Sequence, residues 1–112
     1  MKIKEMNSAA DDVCELMTLL SNKSRLMILC LLTEGEKSVG QLAEAVGIRD
    51  TAVSQQLAVL RRERIVKPRR EGQTMFYRII NTDVAEVLEF LYAKYCGTAA
   101  KPKEIRDDAQ DT

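Results

Sequence analysis

Apolar and polar positions along this chain follow a helical period for most of its length and an extended period over one short stretch. Residues 8–20, SAADDVCELMTLL, place Val13, Leu16, Met17 and Leu20 at helical spacing behind Ser8, which is suited to cap a helix N-terminus, with acids in the first turns. Ser21 and Asn22 interrupt this helix. A second is predicted from about Lys23 to Thr33, and its nearly continuous apolar run, Leu26 to Leu32, requires burial on most sides. Glu34, Gly35 and Glu36 read as a turn, after which Ser38 caps a short third helix with Val39, Leu42, Ala43 and Val46 at core spacing. Gly47, Ile48 and Arg49 form the next turn, and the fourth helix runs from Asp50 to Arg62. The period then changes. Ile65 to Arg70 and Thr74 to Ile80 are rich in β-branched and aromatic residues, and Glu71, Gly72 and Gln73 join them as a β-hairpin in which Pro68 suits an edge position. Asn81 or Thr82 caps a last helix with Val84, Val87, Leu88, Leu91, Tyr92 and Tyr95 on one broad face. Periodicity is lost after that, and residues 98–112 are expected to be a disordered tail.

A short helix, a glycine-containing turn and a second helix with a polar outer face make a helix-turn-helix, and the hairpin that follows makes it a winged one. The predicted fold is therefore mainly α with a small β-hairpin, a single winged helix-turn-helix domain over residues 8–97. Rotating the fourth helix by about 100° per residue puts Val53, Leu57 and Leu60 on one side. Thr51, Ser54, Gln55, Ala58 and Arg62 fall on the other, a set suited to base edges and phosphates. The first and last helices carry more apolar surface than so small a fold can bury alone, which predicts a homodimer formed by those two helices.

Charge sharpens this picture. The 112 residues have no net charge, yet Arg49 to Arg78 holds eight basic residues against three acids, which leaves the rest of the chain acidic. A basic segment in an acidic body is the footprint of a protein that meets a polyanion with one face, here double-stranded operator DNA. The hairpin strands carry Lys67, Arg69, Arg70 and Arg78, as a wing lying along the phosphate backbone would. There is no apolar run long enough to span a membrane and no secretory signal in the first residues, so no membrane partner and a cytoplasmic location are expected.

Three cysteines occur, Cys14, Cys30 and Cys96, none in Cys-x-x-Cys spacing, and there is no histidine. The general base, the phosphate-binding loop and the paired thiols that a sulfur-transfer or redox enzyme uses are all missing, so the chain reads as a non-enzyme with no cofactor. A winged helix used only for protein contact is the other alternative, and salt-dependent binding to duplex DNA separates the two readings.

The run SNKSRLMILCLLTEGEKSVGQLAEAVGIRDTAVSQQLAVLRRERIVKPRREGQTMFYRI, followed by LYAKYC, resembles the ArsR/SmtB family of dimeric winged-helix repressors over about residues 10–97. The order and spacing of RLMIL, SVGQLAEAVG, VSQQLAVLRR and RREGQTMFYRI carry the resemblance. It implies bacterial transcriptional repression relieved by an inducer. With the resemblance, the candidate DNA contacts are Arg49, Thr51, Ser54, Gln55, Gln56, Arg62, Arg69, Arg70 and Gln73. Most members have histidine where this chain has Gln56, and glutamine can still donate, accept and pair with adenine.

Many relatives in that family sense metals. The zinc-type site needs imidazoles, which this chain does not have, and the arsenic- and cadmium-type thiolate positions are occupied here by Ser38 and Gly40, so no metal site is assigned. In a sulfide-responsive subgroup of the family, cysteines stand at places matching Cys30 and Cys96. That resemblance implies a redox-sensing dithiol that takes a low-molecular-weight persulfide or polysulfide as inducer, links the second helix to the last by a disulfide or a longer sulfur chain, and releases DNA. General thiol oxidation and a metal are the alternative inducers. Thiols react as thiolates, and a helix C-terminus such as that of Cys96 disfavours the anion, which argues against a strongly activated peroxide sensor. If the two sulfurs are too far apart for an unstrained disulfide, extra sulfur atoms are needed to span the gap. Cys14, on the first helix, has no such match; an inert residue is the favoured reading, with a place at the dimer interface or capture of a mixed disulfide as the alternatives.

Overall fold

The computed structural model describes residues 1–97; the expected tail, 98–112, lies outside them. The elements in order are α1 (Ile3–Leu20), α2 (Lys23–Leu32), β1 (Lys37–Ser38), α3 (Val39–Val46), α4 (Asp50–Arg62), β2 (Val66–Glu71), β3 (Thr74–Ile79) and α5 (Thr82–Tyr95). This is the predicted winged helix-turn-helix, mainly helical with an antiparallel hairpin, and it differs from the expectation at three points.

First, α1 begins at Ile3, so Ser8 is not its cap; the Ser8 hydroxyl lies inside the helix and donates to the Lys4 carbonyl at 3.5 Å. The preceding residues explain why. Lys, Glu and Met are good helix formers, and Ile3, Met6, Ala10, Val13, Met17 and Leu20 extend one apolar stripe at alternating three- and four-residue steps. Second, the wing contains a third strand. β1 pairs antiparallel with β3 through Lys37 opposite Tyr77 and Ser38 opposite Phe76, giving the sheet order β1-β3-β2. Two residues are too few to carry an alternating pattern. Third, Glu71 pairs with Thr74 inside the ladder, so the wing turn is the two residues Gly72 and Gln73, with Gly72 at φ +65°. A glycine with positive φ at the first position of a two-residue turn matches the twist of the strands it joins. Pro68, opposite Tyr77, lies on the edge strand β2, where its missing N–H is tolerated.

The core joins α2, α3, α4 and the base of the wing. Ile28, Leu29, Leu42, Val53, Leu57 and Leu60 are fully buried, and Leu32, Ala43, Ile65, Val66, Val84 and Leu88 close around them. Caps fix the ends of the elements that present α4. The Asn22 side chain accepts from the Arg25 N–H at 2.9 Å to start α2. Ser38 and Gln41 form a reciprocal capping box at the start of α3, and Asn81 accepts from the Val84 N–H to start α5. Gly47, at φ +82°, ends α3 in the left-handed conformation, which reverses the chain into α4. By contrast, none of the residues of α1 is buried, and Ile3, Met6, Val13 and Met17 on α1 and Phe90, Tyr92 and Tyr95 on α5 are exposed.

Candidate DNA-binding face and thiol pair

The fourth helix is held by one side only. Val53, Leu57 and Leu60 have no exposed surface, while Thr51, Ser54, Gln55, Ala58, Arg61 and Arg62 face solvent, as the helical period predicts. Arg49 precedes the first turn, and no side chain caps that turn, so its backbone N–H groups remain available to an anion. Arg61 and Arg62 stand in the last turn. The helix thus offers hydroxyls and an amide on its outer face, with Arg49 beside Asp50 at its start and two cations at its end, so phosphate contacts can position it while base contacts specify the sequence.

Gln56 does not share this exposure. It is half-buried, and its Oε1 accepts from Nη1 of Arg25 at 3.0 Å. Arg25 projects from the start of α2 and also donates to the carbonyls of Leu19 (2.8 Å) and Thr18 (3.4 Å) at the end of α1. Sequence reasoning missed Arg25 entirely, because its partners are 6, 7 and 31 residues away and no local spacing announces them.

The wing splits its cations between two roles. Arg69 is clamped by Glu36, with both carboxylate oxygens accepting from its guanidinium at 2.7 to 3.1 Å. It also pairs with Glu71 at 3.3 Å, and its guanidinium carbon lies 5.0 Å from the centre of the Phe76 ring. The hydrogen bond from Arg69 holds the Glu36 carboxyl below its ordinary range, and the same bond raises the guanidinium further. Arg69 was expected to face DNA; here it fastens the hairpin to the turn that follows α2. Lys67, Arg70 and Arg78 are exposed and form no ion pair among the described residues, and Gln73 is exposed at the tip. Glu36 is the second residue that the sequence did not single out, since a lone acid in a turn carries no pattern.

The cysteines are all free. Cys30, on α2, is half-buried against the core and opens on a groove of about 490 Å³ whose walls include Met27, Leu31, Leu88 and Tyr92. Cys96 is exposed at the end of α5, where its N–H donates to the Tyr92 carbonyl at 2.8 Å. Burial pushes the Cys30 thiol up, and the negative charge of a Cys96 thiolate adds to the rise. Cys14 is exposed on α1. Among the described residues, no group of three or more His, Cys, Asp or Glu side chains stands together to hold a metal ion, and no helix is long and apolar enough to cross a membrane.

Comparison with known proteins adds to this geometry. The profile of the family described as bacterial regulatory protein, arsR family, matches residues 22–67, from the cap of α2 into β2. The transcriptional activator HlyU of Vibrio cholerae is 38% identical over 96 residues, covering 86% of this chain and 89% of that protein. The chain belongs to the ArsR family. Within this family, the crystal structure of the transcriptional repressor BigR from Xylella fastidiosa superposes with a TM-score of 0.80 at 41% identity, covering 86% of this chain and 98% of that one. The homodimeric winged helix-turn-helix DNA-binding domain Mb0332 from Mycobacterium bovis matches at a TM-score of 0.66 and 29% identity, covering 95% and 89%. The ArsR-family chain thus resembles transcriptional regulators rather than enzymes, and it is closely related to BigR-type repressors.

Proposed function

We propose that this ArsR-family protein is a homodimeric repressor that binds operator DNA while Cys30 and Cys96 are reduced and releases it when a persulfide or polysulfide bridges them. The observation that carries the reading is the placement of the two free thiols. Cys30 on α2 opens on a groove, and Cys96 at the end of α5 opens on solvent, so both free thiols can be reached from outside.

The dimer follows from the apolar stripe of α1, in which Ile3, Met6, Ala10, Val13, Met17 and Leu20 recur with the seven-residue repeat of a two-helix seam. With the exposed Phe90, Tyr92 and Tyr95 of α5, that stripe would be covered by the same helices of a second copy. Two recognition helices then stand about 34 Å apart and enter successive major grooves. Thr51, Ser54 and Gln55 face base edges, and Arg49, Arg62, Arg70 and Gln73 face the backbone. Arg69 acts by shaping the wing.

The chemistry balances with the inducer as oxidant. A cysteine thiolate attacks the outer sulfur of R–S–SH, forming Cys–S–SH and releasing RS⁻. The second thiolate then attacks the cysteine sulfur of that persulfide, forming the Cys30–Cys96 disulfide and expelling HS⁻. Two thiols are oxidised, and the transferred sulfur leaves reduced to sulfide. Each further sulfane sulfur taken up before closure lengthens the chain by one atom. The exposed Cys96 and the groove beside Cys30 give the inducer access to both. A closed bridge ties α2, which packs under α4, to α5, so it changes the spacing of the recognition helices. HlyU, named an activator, shows that the sign of control can differ among relatives. The repressor reading here rests on the similarity to BigR.

The test is operator binding by Cys30→Ser and Cys96→Ser variants before and after polysulfide. Both variants are expected to bind like the reduced wild type and to ignore the inducer. A single-cysteine variant that is still released would remove the dithiol from the account.

A further inference from the structure

We propose that Gln56 is a positioning residue rather than a base reader, and that Arg25 uses it to lock the recognition helix to the end of α1. The proposal rests on the DNA-binding reading above but not on the thiol chemistry. A guanidinium only donates, so the oxygen of the Gln56 amide must be the atom turned towards Arg25, as the 3.0 Å contact from Nη1 shows. Bidentate recognition of adenine needs the amide oxygen and the amide nitrogen together, and here the oxygen is directed inward. Its neighbours Ser54 and Gln55 are exposed, while Gln56 is half-buried.

Arg25 is placed to act as a tie. Its Nε donates to the Leu19 carbonyl at 2.8 Å and its Nη2 to the Thr18 carbonyl at 3.4 Å, both among the last carbonyls of α1; the Thr18 carbonyl also accepts from the N–H (3.2 Å) and the hydroxyl (2.8 Å) of Ser21, which ends that helix, so the Leu19 contact carries the tie. One planar group therefore joins α1 and α4 from a root on α2, the helix that also carries Cys30. A planar fork makes such a tie directional, which a lysine could not reproduce. If the α1 seam forms the dimer, the Arg25 tie sets the angle of each recognition helix relative to the two-fold axis, and base preference is left to the residues that face outward.

The experiment uses the full chain and a duplex selected by the wild-type protein from a randomised library, together with single-base-pair variants of that duplex. Gln56→Ala and Arg25→Lys are each expected to weaken binding to every duplex by a common factor of about ten, leaving base preferences unchanged. Gln55→Ala is expected to lose discrimination at one position of each half-site. Gln56→Glu, which keeps an acceptor for Arg25, is expected to retain the wild-type pattern of base preferences. Flattened preference at one base pair in Gln56→Ala, or wild-type affinity in Arg25→Lys, would overturn the proposal. If the wild-type protein selects no sequence, the DNA-binding reading fails on its own, and the tie is read from thermal unfolding of Arg25→Lys, Gln56→Ala and the double variant. Coupled effects support it, and additive effects overturn it.

Discussion

The region from α2 to β3 and the pair α1 and α5 solve burial in different ways. The first supplies most of the core, which Val84 and Leu88 of α5 help to close: three helices turn Ile28, Leu29, Leu42, Val53, Leu57 and Leu60 completely away from water. The second does not. Among its 18 residues α1 buries none, and α5 buries only Val84 and Leu88. A region whose side chains are mostly buried can present a recognition helix rigidly, while the open apolar stripe of α1 is the surface that the proposed dimer would cover. The difference teaches where control can act, because a dimer seam can shift without disturbing the core behind the reading helix.

The comparison breaks most visibly in the core. Leu57→Ala removes a fully buried side chain behind the recognition face and is expected to cost about 3 kcal/mol of unfolding free energy, measured by urea denaturation. A loss below about 1 kcal/mol would mean that α4 is not anchored as described. Next in size is Val13→Lys in the α1 stripe. It is expected to shift the protein from dimer to monomer in analytical ultracentrifugation and to abolish cooperative operator binding, while the helical signal in circular dichroism stays. A dimer that survives would place the seam elsewhere.

The smallest effect concerns the wing. Because Arg69 lowers the Glu36 carboxyl below its ordinary range, the clamp contributes above the unfolded-state value of about 4.3 and is lost as pH falls through the lower folded value. Below about pH 4, the amide resonances of Arg69 and Phe76 are therefore expected to shift in the wild type. In Glu36→Gln, where Arg69 keeps only its contact with Glu71, the shifts should be clearly smaller over that range. The pair is exposed, so the effect on overall stability is small. Identical titrations in the two proteins would show that the clamp does not form in solution.

How much of this was legible depended on the range of each interaction. The bounds of α4 and the burial of Val53, Leu57 and Leu60 followed from helical periodicity, which is a local property. The start of α1 was misplaced because Ser8 is a good cap by residue type, yet the apolar stripe continues through Met6 and Ile3. The strand at Lys37–Ser38 exists only because β3 offers it an edge, and nothing in two residues could declare that. At the site, the outward set of Thr51, Ser54 and Gln55 was readable. The engagement of Gln56 by Arg25 and of Arg69 by Glu36 was not, since each joins residues more than 30 positions apart. The family resemblance assigned Gln56 to DNA and basic character assigned Arg69, and in the folded chain each first engages a partner within the protein.

The central claim is that a Cys30–Cys96 bridge, rather than modification of any one thiol, separates the DNA-bound form from the released one. The most direct measurement is mass spectrometry of the reduced dimer after polysulfide treatment, with operator binding followed on the same samples. The account predicts that loss of binding tracks a cross-linked peptide joining Cys30 to Cys96 through two or more sulfurs, and that a reductant restores both. Release that tracks modification of Cys14, or that occurs with Cys30 and Cys96 still unlinked, would contradict it.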